Sequence, residues 1–256
     1  MYRLLTASAK SIFIFFYSLK FLNFKDWLAF WFTFPIDQVV TLDNLRLAIR
    51  TNNMEAKIVD LYMAVSCILW KQYDQENLPP TGTVIDIGGH IGSFSIYASP
   101  NTSRVITYEP DVINFKRLRH NIEINNSKNV LAINKGVAGT TGDRLLFQDS
   151  ANSAAHTIAL KSTGGSRTIE CVSLEEVFRE NNISTCDFMK LDCEGAEFEI
   201  LMNASQDTLA KIKKISMEYH EGYDLNKLLE HLKQSDFKII KNEKENSYQG
   251  MIWAKR

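Results

Sequence analysis

Two short stretches of this 256-residue chain crowd reactive side chains beside glycine. The first is Thr83-Val84-Ile85-Asp86-Ile87-Gly88-Gly89-His90-Ile91-Gly92-Ser93-Phe94-Ser95. It reads as an apolar strand that reaches an acid, turns on paired glycines and enters a helix, the usual layout of a nucleotide-cofactor cradle in an open α/β sheet. The spacing is Asp-x-Gly-x-x-x-Gly, which differs from the dinucleotide fingerprint Gly-x-Gly-x-x-Gly. An acid inside the turn suits a cationic or hydroxyl-bearing ligand and disfavours a pyrophosphate. The second stretch, Cys186 to Glu197, places Asp192, Glu194 and Glu197 around Gly195 where a strand ends. Three carboxylates this close are costly unless they meet a cation or hydrogen-bond donors, although Glu194 or Glu197 could also serve as a helix cap. Glu218 and His220 end a further strand, Ile215–His220, and an imidazole is the side chain best suited to take a proton near neutrality.

The elements that must position these groups follow from periodicity. Arg104–Tyr108 is a β-branched strand that delivers Glu109-Pro110, with the acid 21 positions beyond Gly88. An acid at that place in a cofactor-binding α/β fold accepts hydrogen bonds from ribose hydroxyls. Helices are expected over Ser93–Ser99, Phe115–Asn125, Ala196–Leu201 and Leu225–Gln234, and strands over Val130–Val137 and Arg144–Phe147. The segment 149–167, rich in Ser, Ala, Thr and Gly and containing His156, reads as a loop. Phe237–Lys241 and Met251–Lys255 are separated by a connection that permits only a hairpin, so the last strand must run antiparallel to its neighbour. The expected fold is therefore a Rossmann-like α/β sheet of seven mostly parallel strands, the last antiparallel, with helices on both faces. A hairpin (Gln38–Thr41 and Leu45–Arg50 about Asp43-Asn44) and a helix over Met54–Tyr73 lead into it.

The N-terminus differs in kind. Eleven aromatic residues fall between Ser11 and Phe34, broken by Lys20, Lys25 and Asp26, which leaves no apolar run of the roughly 20 residues that span a bilayer. The segment reads either as a helix lying on a membrane surface through residues 11–34 or as an aromatic lid or dimer face. The expected division is residues 1–37 for this segment, 38–80 for the lead-in and 81–256 for the catalytic domain. A formal net charge of −1 gives no global electrostatic case for nucleic acid. Cys67, Cys171, Cys186 and Cys193 form no Cys-x-x-Cys pair or zinc spacing, which favours a reduced, cytoplasmic chain.

Taken together, Asp86-Ile-Gly-Gly-His-Ile-Gly92, Tyr108-Glu109-Pro110, Asn121-Ile-Glu-Ile-Asn125, Lys190-Leu-Asp-Cys-Glu-Gly-Ala-Glu197 and Glu218-Tyr-His220 resemble the FkbM family of S-adenosylmethionine-dependent methyltransferases. His90 stands where that family more often has Asn. The resemblance implies that Asp86 and the backbone of Gly88–Gly92 hold the methionine part of S-adenosyl-L-methionine, within a segment that includes Ile87, Gly89, His90, Ser93 and Phe94. It implies Glu109, beside Pro110, for the ribose hydroxyls, Val137 and Ala138 for adenine, and Asp192 near both the amino-acid moiety and the methyl-transfer site. O-methylation of a sugar, glycan or secondary-metabolite hydroxyl is the activity implied. A hydroxyl acceptor must lose a proton, with His220 as first candidate base and Glu194 and Asp192 behind it. One short acidic cluster is weak ground for a metal site, so none is expected. The alternatives are a nicotinamide-dependent oxidoreductase, disfavoured by the missing fingerprint, and a non-catalytic scaffold that binds cofactor or membrane.

Overall fold

A computed structural model of the chain describes residues 7–32, 37–50, 54–74, 78–79, 81–147, 165–220, 222–246 and 249–256. His156 and most of the expected 149–167 loop lie outside the described residues. From the N-terminus the elements are α1 (Ala7–Tyr17), α2 (Phe24–Phe32), β1 (Asp37–Leu42), β2 (Leu45–Arg50), α3 (Met54–Ile68), β3 (Thr83–Ile87), α4 (Ser93–Ala98), β4 (Arg104–Tyr108) and α5 (Val112–Ile124). There follow β5 (Val130–Ile133), β6 (Gly136–Val137), β7 (Gly142–Phe147), β8 (Ser166–Val172), α6 (Leu174–Glu180), β9 (Phe188–Leu191) and α7 (Glu197–Asn203). The chain ends with α8 (Gln206–Leu209), β10 (Lys214–His220), α9 (Leu225–Gln234), β11 (Lys238–Lys244) and β12 (Gln249–Lys255).

Seven strands form the main sheet in the order β11-β12-β10-β9-β3-β4-β5. The five strands from β10 to β5 are parallel, and β12 inserts between β10 and β11 antiparallel to both. Alternation along the buried strands divides the core in two. Ile85, Ile106 and Met189 face α6, α7 and α9, while Val84, Val105 and Phe188 face α3, α4, the β1–β2 hairpin and the N-terminal helices. Helices thus cover both faces, as the near-continuous apolar strands require.

Several boundaries differ from the sequence expectation. The β1–β2 turn has Asp43 and Asn44 at φ 47° and 68°, the pair of positive values that a tight two-residue hairpin needs. Helix α3 stops at Ile68 rather than Tyr73, and Lys71 at φ 50° redirects the chain so that Gln72 and Tyr73 turn beneath the main sheet. Helix α5 starts three residues early because the Asp111 carboxylate accepts from the Ile113 and Asn114 amides. The expected strand Val130–Val137 is two strands in different sheets. Asn134 between them donates to the carbonyls of Glu109 and Pro110, and β6 leaves to join β8 and β7 in a small side sheet. Strand β8 and helix α6 were not foreseen: β8 is half-exposed, and α6 is capped by Ser173, a local signal that the Ser-rich stretch upstream obscured.

In the N-terminal pair, Ile14, Trp27, Phe30 and Trp31 are buried in the same core cluster as Phe94, Phe188 and Trp253. Their indoles are hydrogen-bonded inside it, Trp27 Nε1 to the Phe15 carbonyl (2.9 Å) and Trp31 Nε1 to Ser18 Oγ (2.9 Å). Buried Lys57 of α3 donates to the Phe30 carbonyl and lies over its ring, tying α2 to the lead-in. Among the described residues no helix is long and apolar enough to cross a membrane.

Candidate active site

The glycine turn is built by its two neighbours. Gly88 (φ 82°) lies so close to the carbonyl of Asp192 that a Cβ would collide with it, so strand β9 and the turn can be adjacent only with glycine here. The amides of Gly88 and Gly89 both donate to the Tyr108 carbonyl at the end of β4 (3.0 and 2.9 Å). His90 also has positive φ (49°), and its amide donates to Glu109 Oε2 (2.8 Å). The Asp111 amide donates to Glu109 Oε1 (2.9 Å). Burial pushes the Glu109 carboxyl up to about 7, and these two amides pull against that shift.

A cleft enclosing about 600 Å³, open solvent included, lies above these strand ends. Glu109, Asp192 and Glu194 bring carboxylates to it, Gly88 and His90 border it, and Met63, Pro110, Val137 and Leu146 give it an apolar side. It sits outside the carboxyl ends of parallel strands, where ligands bind in open α/β sheets.

Asp86 is not among its lining residues. The Asp86 carboxylate is fully buried, accepts from Ser95 Oγ (2.6 Å) and Thr107 Oγ1 (3.3 Å), and pairs with Lys190 Nζ (3.1 Å). Lys190, 3 % exposed, donates to the Gly88 carbonyl (2.7 Å) and lies 3.8 Å from Asp192. Burial opposes its charge, but Asp86 and Asp192 outweigh that and raise its pKa. The surroundings of Asp86 thus tie it to the turn through Lys190, whose Nζ also donates to the Gly88 carbonyl. Ser93, Phe94 and Ala138 are likewise buried away from the cleft: Phe94 stacks on Phe188, and Gly89 and Gly92 serve the turn itself.

Beside Glu194, which lines the cleft, three carboxylates surround one imidazole. His220 Nε2 is 3.3 Å from Glu194 and 3.9 Å from Glu218, and Nδ1 is 3.4 Å from Glu197. Glu197 closes its own turn, accepting from the amides of Cys193 (2.8 Å) and Gly195 (2.9 Å) and from the Tyr223 hydroxyl (3.0 Å). Burial raises its pKa, but His220 and these donors prevail and hold it low. Burial likewise disfavours a charged His220, yet the close Glu197 carboxylate and the charges of Glu194 and Glu218 lift it to about 11. An imidazolium has no lone pair to accept a proton, so this upward shift works against the base role that the sequence suggested for His220. Burial drives Glu194 up to about 8 against the pull of His220, and drives Glu218 up further with help from Asp192. Asp192 is fixed by the Tyr73 hydroxyl (2.6 Å), and Glu218 by Gln72 (3.2 Å). Ligand atoms of Asp192, Glu194 and His220 lie within 4.8 Å of one another, closer to a cation-sized cluster than the sequence alone implied.

These neighbours explain a match across the whole region: the model of the methyltransferase FkbM domain fits residues 86–239. The chain belongs to the FkbM methyltransferase family. Relatives of this FkbM protein include the hexuronic acid methyltransferase AglP of Haloferax volcanii, 29% identical over 59% of this chain and 62% of AglP. Methyltransferase sdnD of Sordaria araneosa is 22% identical over 68% of this chain and 80% of its own length. Among solved structures, the methyltransferase FkbM of Methylobacillus flagellatus KT shares the fold, with a TM-score of 0.51 and 16% identity over 79% of this chain. The alignments span just under two thirds of AglP and 55% of the Methylobacillus protein.

Some groups at the site carry no sequence signature. Arg50 of β2 pairs with Asp60 of α3 (Nε–Oδ2 3.0 Å), donates to Asn114 Oδ1 (2.9 Å) and meets His90 Nε2 (2.8 Å). Arginine offers only donors, so His90 Nε2 is the acceptor there. This network clamps the lead-in onto the glycine turn from positions 40 residues apart. Gln72 and Tyr73 stand in no motif, and Lys190, although it opens the Lys190–Glu197 motif, has a partner in Asp86 that the motif does not name.

Proposed function

We propose that this FkbM protein transfers a methyl group from S-adenosyl-L-methionine to a hydroxyl of a sugar or similar small acceptor. The observation that carries this reading is the shared cleft: Glu109 at the end of β4 and Asp192 and Glu194 after β9 line one cavity at the carboxyl ends of the parallel strands. The donors and shape fit such a cofactor. Glu109 keeps lone pairs for ribose hydroxyls, the turn at residues 88–92 borders the amino-acid end, and Val137, Leu146, Pro110 and Met63 offer an apolar bed for adenine. When bound, S-adenosyl-L-methionine supplies a methyl group on a sulfonium centre.

The protein's own groups align the acceptor and move its proton. Glu194 lines the cleft and titrates near neutrality, so it takes the acceptor's proton. His220, charged and fixed by Glu197, lowers the cost of ionising Glu194. Tyr73 and Lys190 hold Asp192 in place beside it. AglP, a hexuronic acid methyltransferase, supports a sugar-like acceptor, and the near-neutral charge favours a small molecule over nucleic acid. Calorimetric titration with S-adenosylhomocysteine, with NADH as control, tests the cofactor. Micromolar binding of the former alone is expected; binding of NADH alone, or of neither by folded protein, would overturn the reading.

A further inference from the structure

The aromatic helices have a second apolar face that the fold leaves uncovered. Trp27, Phe30 and Trp31 of α2 point into the core, but Phe24, Leu28 and Phe32, spaced by four, are exposed on its other side. Ile12 and Phe16 of α1, with Leu19 in the following turn, repeat the pattern at the same kind of spacing. Phe16, Phe24 and Phe32 are each more than 60 % exposed. These six account for most of the large apolar side chains that the described residues leave in water, and monomers rarely tolerate such a concentration without a use.

Charge identifies the occupant. Residues 1–34 contain Arg3, Lys10, Lys20 and Lys25 against the single acid Asp26, a net +3, whereas the whole chain is −1. The rest of the molecule is therefore net acidic, and the apolar segment stands out as a stretch of net positive charge. Apolar side chains flanked by lysines are suited to the boundary of a bilayer with anionic headgroups, where rings enter the acyl region and ammonium groups stay with the phosphates. The two helices, of 11 and 9 residues, can lie along such a surface but cannot cross it. Core packing of Trp27 and Trp31 fixes the pair to the sheet, so the face is presented by a rigid element.

We propose that the outer face of α1 and α2 docks the protein onto an anionic lipid bilayer. This stands apart from the identity of the cofactor or acceptor. Flotation of the full chain with vesicles of phosphatidylcholine, alone or mixed with phosphatidylglycerol, tests it. Partition is expected to be about tenfold higher on the mixed vesicles, and to fall about tenfold in the triple variant Phe16→Ser, Phe24→Ser, Phe32→Ser. Lys20→Glu with Lys25→Glu should abolish the preference for the anionic mixture. All three side chains of the triple variant lie on the outer face, so its S-adenosylhomocysteine affinity should match the parent and report that it is folded. Absence of vesicle binding by the parent, or binding that the triple variant retains, overturns the proposal. So does a dimer in light scattering that the triple variant dissolves, which would make the face a contact between two copies.

Discussion

The two acid-bearing ends of the cleft face the same burial and answer it differently. At the end of β4, Glu109 meets two backbone amides and the Asn114 side-chain amide, and burial raises its pKa to about 7. At the ends of β9 and β10, Asp192, Glu194, Glu197 and Glu218 are answered by one imidazole and one lysine. Amides are fixed partial charges that neither gain nor lose protons, so the first site is a static acceptor suited to binding hydroxyls. The second is a shared pool of protons: ionising one member raises the cost for the next, which suits a group that must give and take a proton. Desolvation alone does not assign a role to a carboxylate; the partner does.

The comparison can be broken by experiment. The largest effect is expected at the proton pool. Glu194→Gln should slow turnover by about 10²–10⁴-fold with cofactor affinity nearly unchanged. In the parent enzyme turnover should rise with pH through about 8, because the base must be deprotonated and its pKa is raised. A Gln variant that keeps full activity and the same profile would move the base elsewhere. Next comes the lysine beneath both sites. Lys190→Met leaves Asp86 buried without its cation and should cost about 3–5 kcal/mol in a denaturant melt, while adding Asp86→Asn should restore much of it.

A smaller effect is expected at the static acceptor. Glu109→Gln should weaken S-adenosylhomocysteine binding by about 1–3 kcal/mol. Ribose hydroxyls donate to the ionised form, so in the parent binding should strengthen as pH rises through about 7 and weaken below it. Calorimetry across that interval should find the slope in the parent and a flat response in the variant. Smallest is a shift rather than a loss. His220→Gln removes the positive charge that helps Glu194 ionise, so the activity limb near 8 should move upward by about one pH unit. An unchanged limb would separate His220 from Glu194.

Sequence alone determined the local pieces. Asp86 to Gly92, the acid after β4 and the Lys190–Glu197 run are short-range patterns, because a turn between strand and helix is encoded by residues adjacent in the chain. The antiparallel last strand was legible for the same reason: a short connection leaves no other geometry. Tertiary structure decided what each reactive group does. The pairing of Asp86 with buried Lys190, and the three acids from two strand ends that surround His220, are set by neighbours that the local motifs do not name. Arg50, Asp60, Gln72 and Tyr73 reach the site only because a hairpin and a helix fold back on the sheet. The eleven aromatics likewise gave no sign of which would face inward, since their near-continuous run has no polar side. A proton affinity depends on the charges and the water within a few ångströms, and those neighbours come from distant parts of the chain.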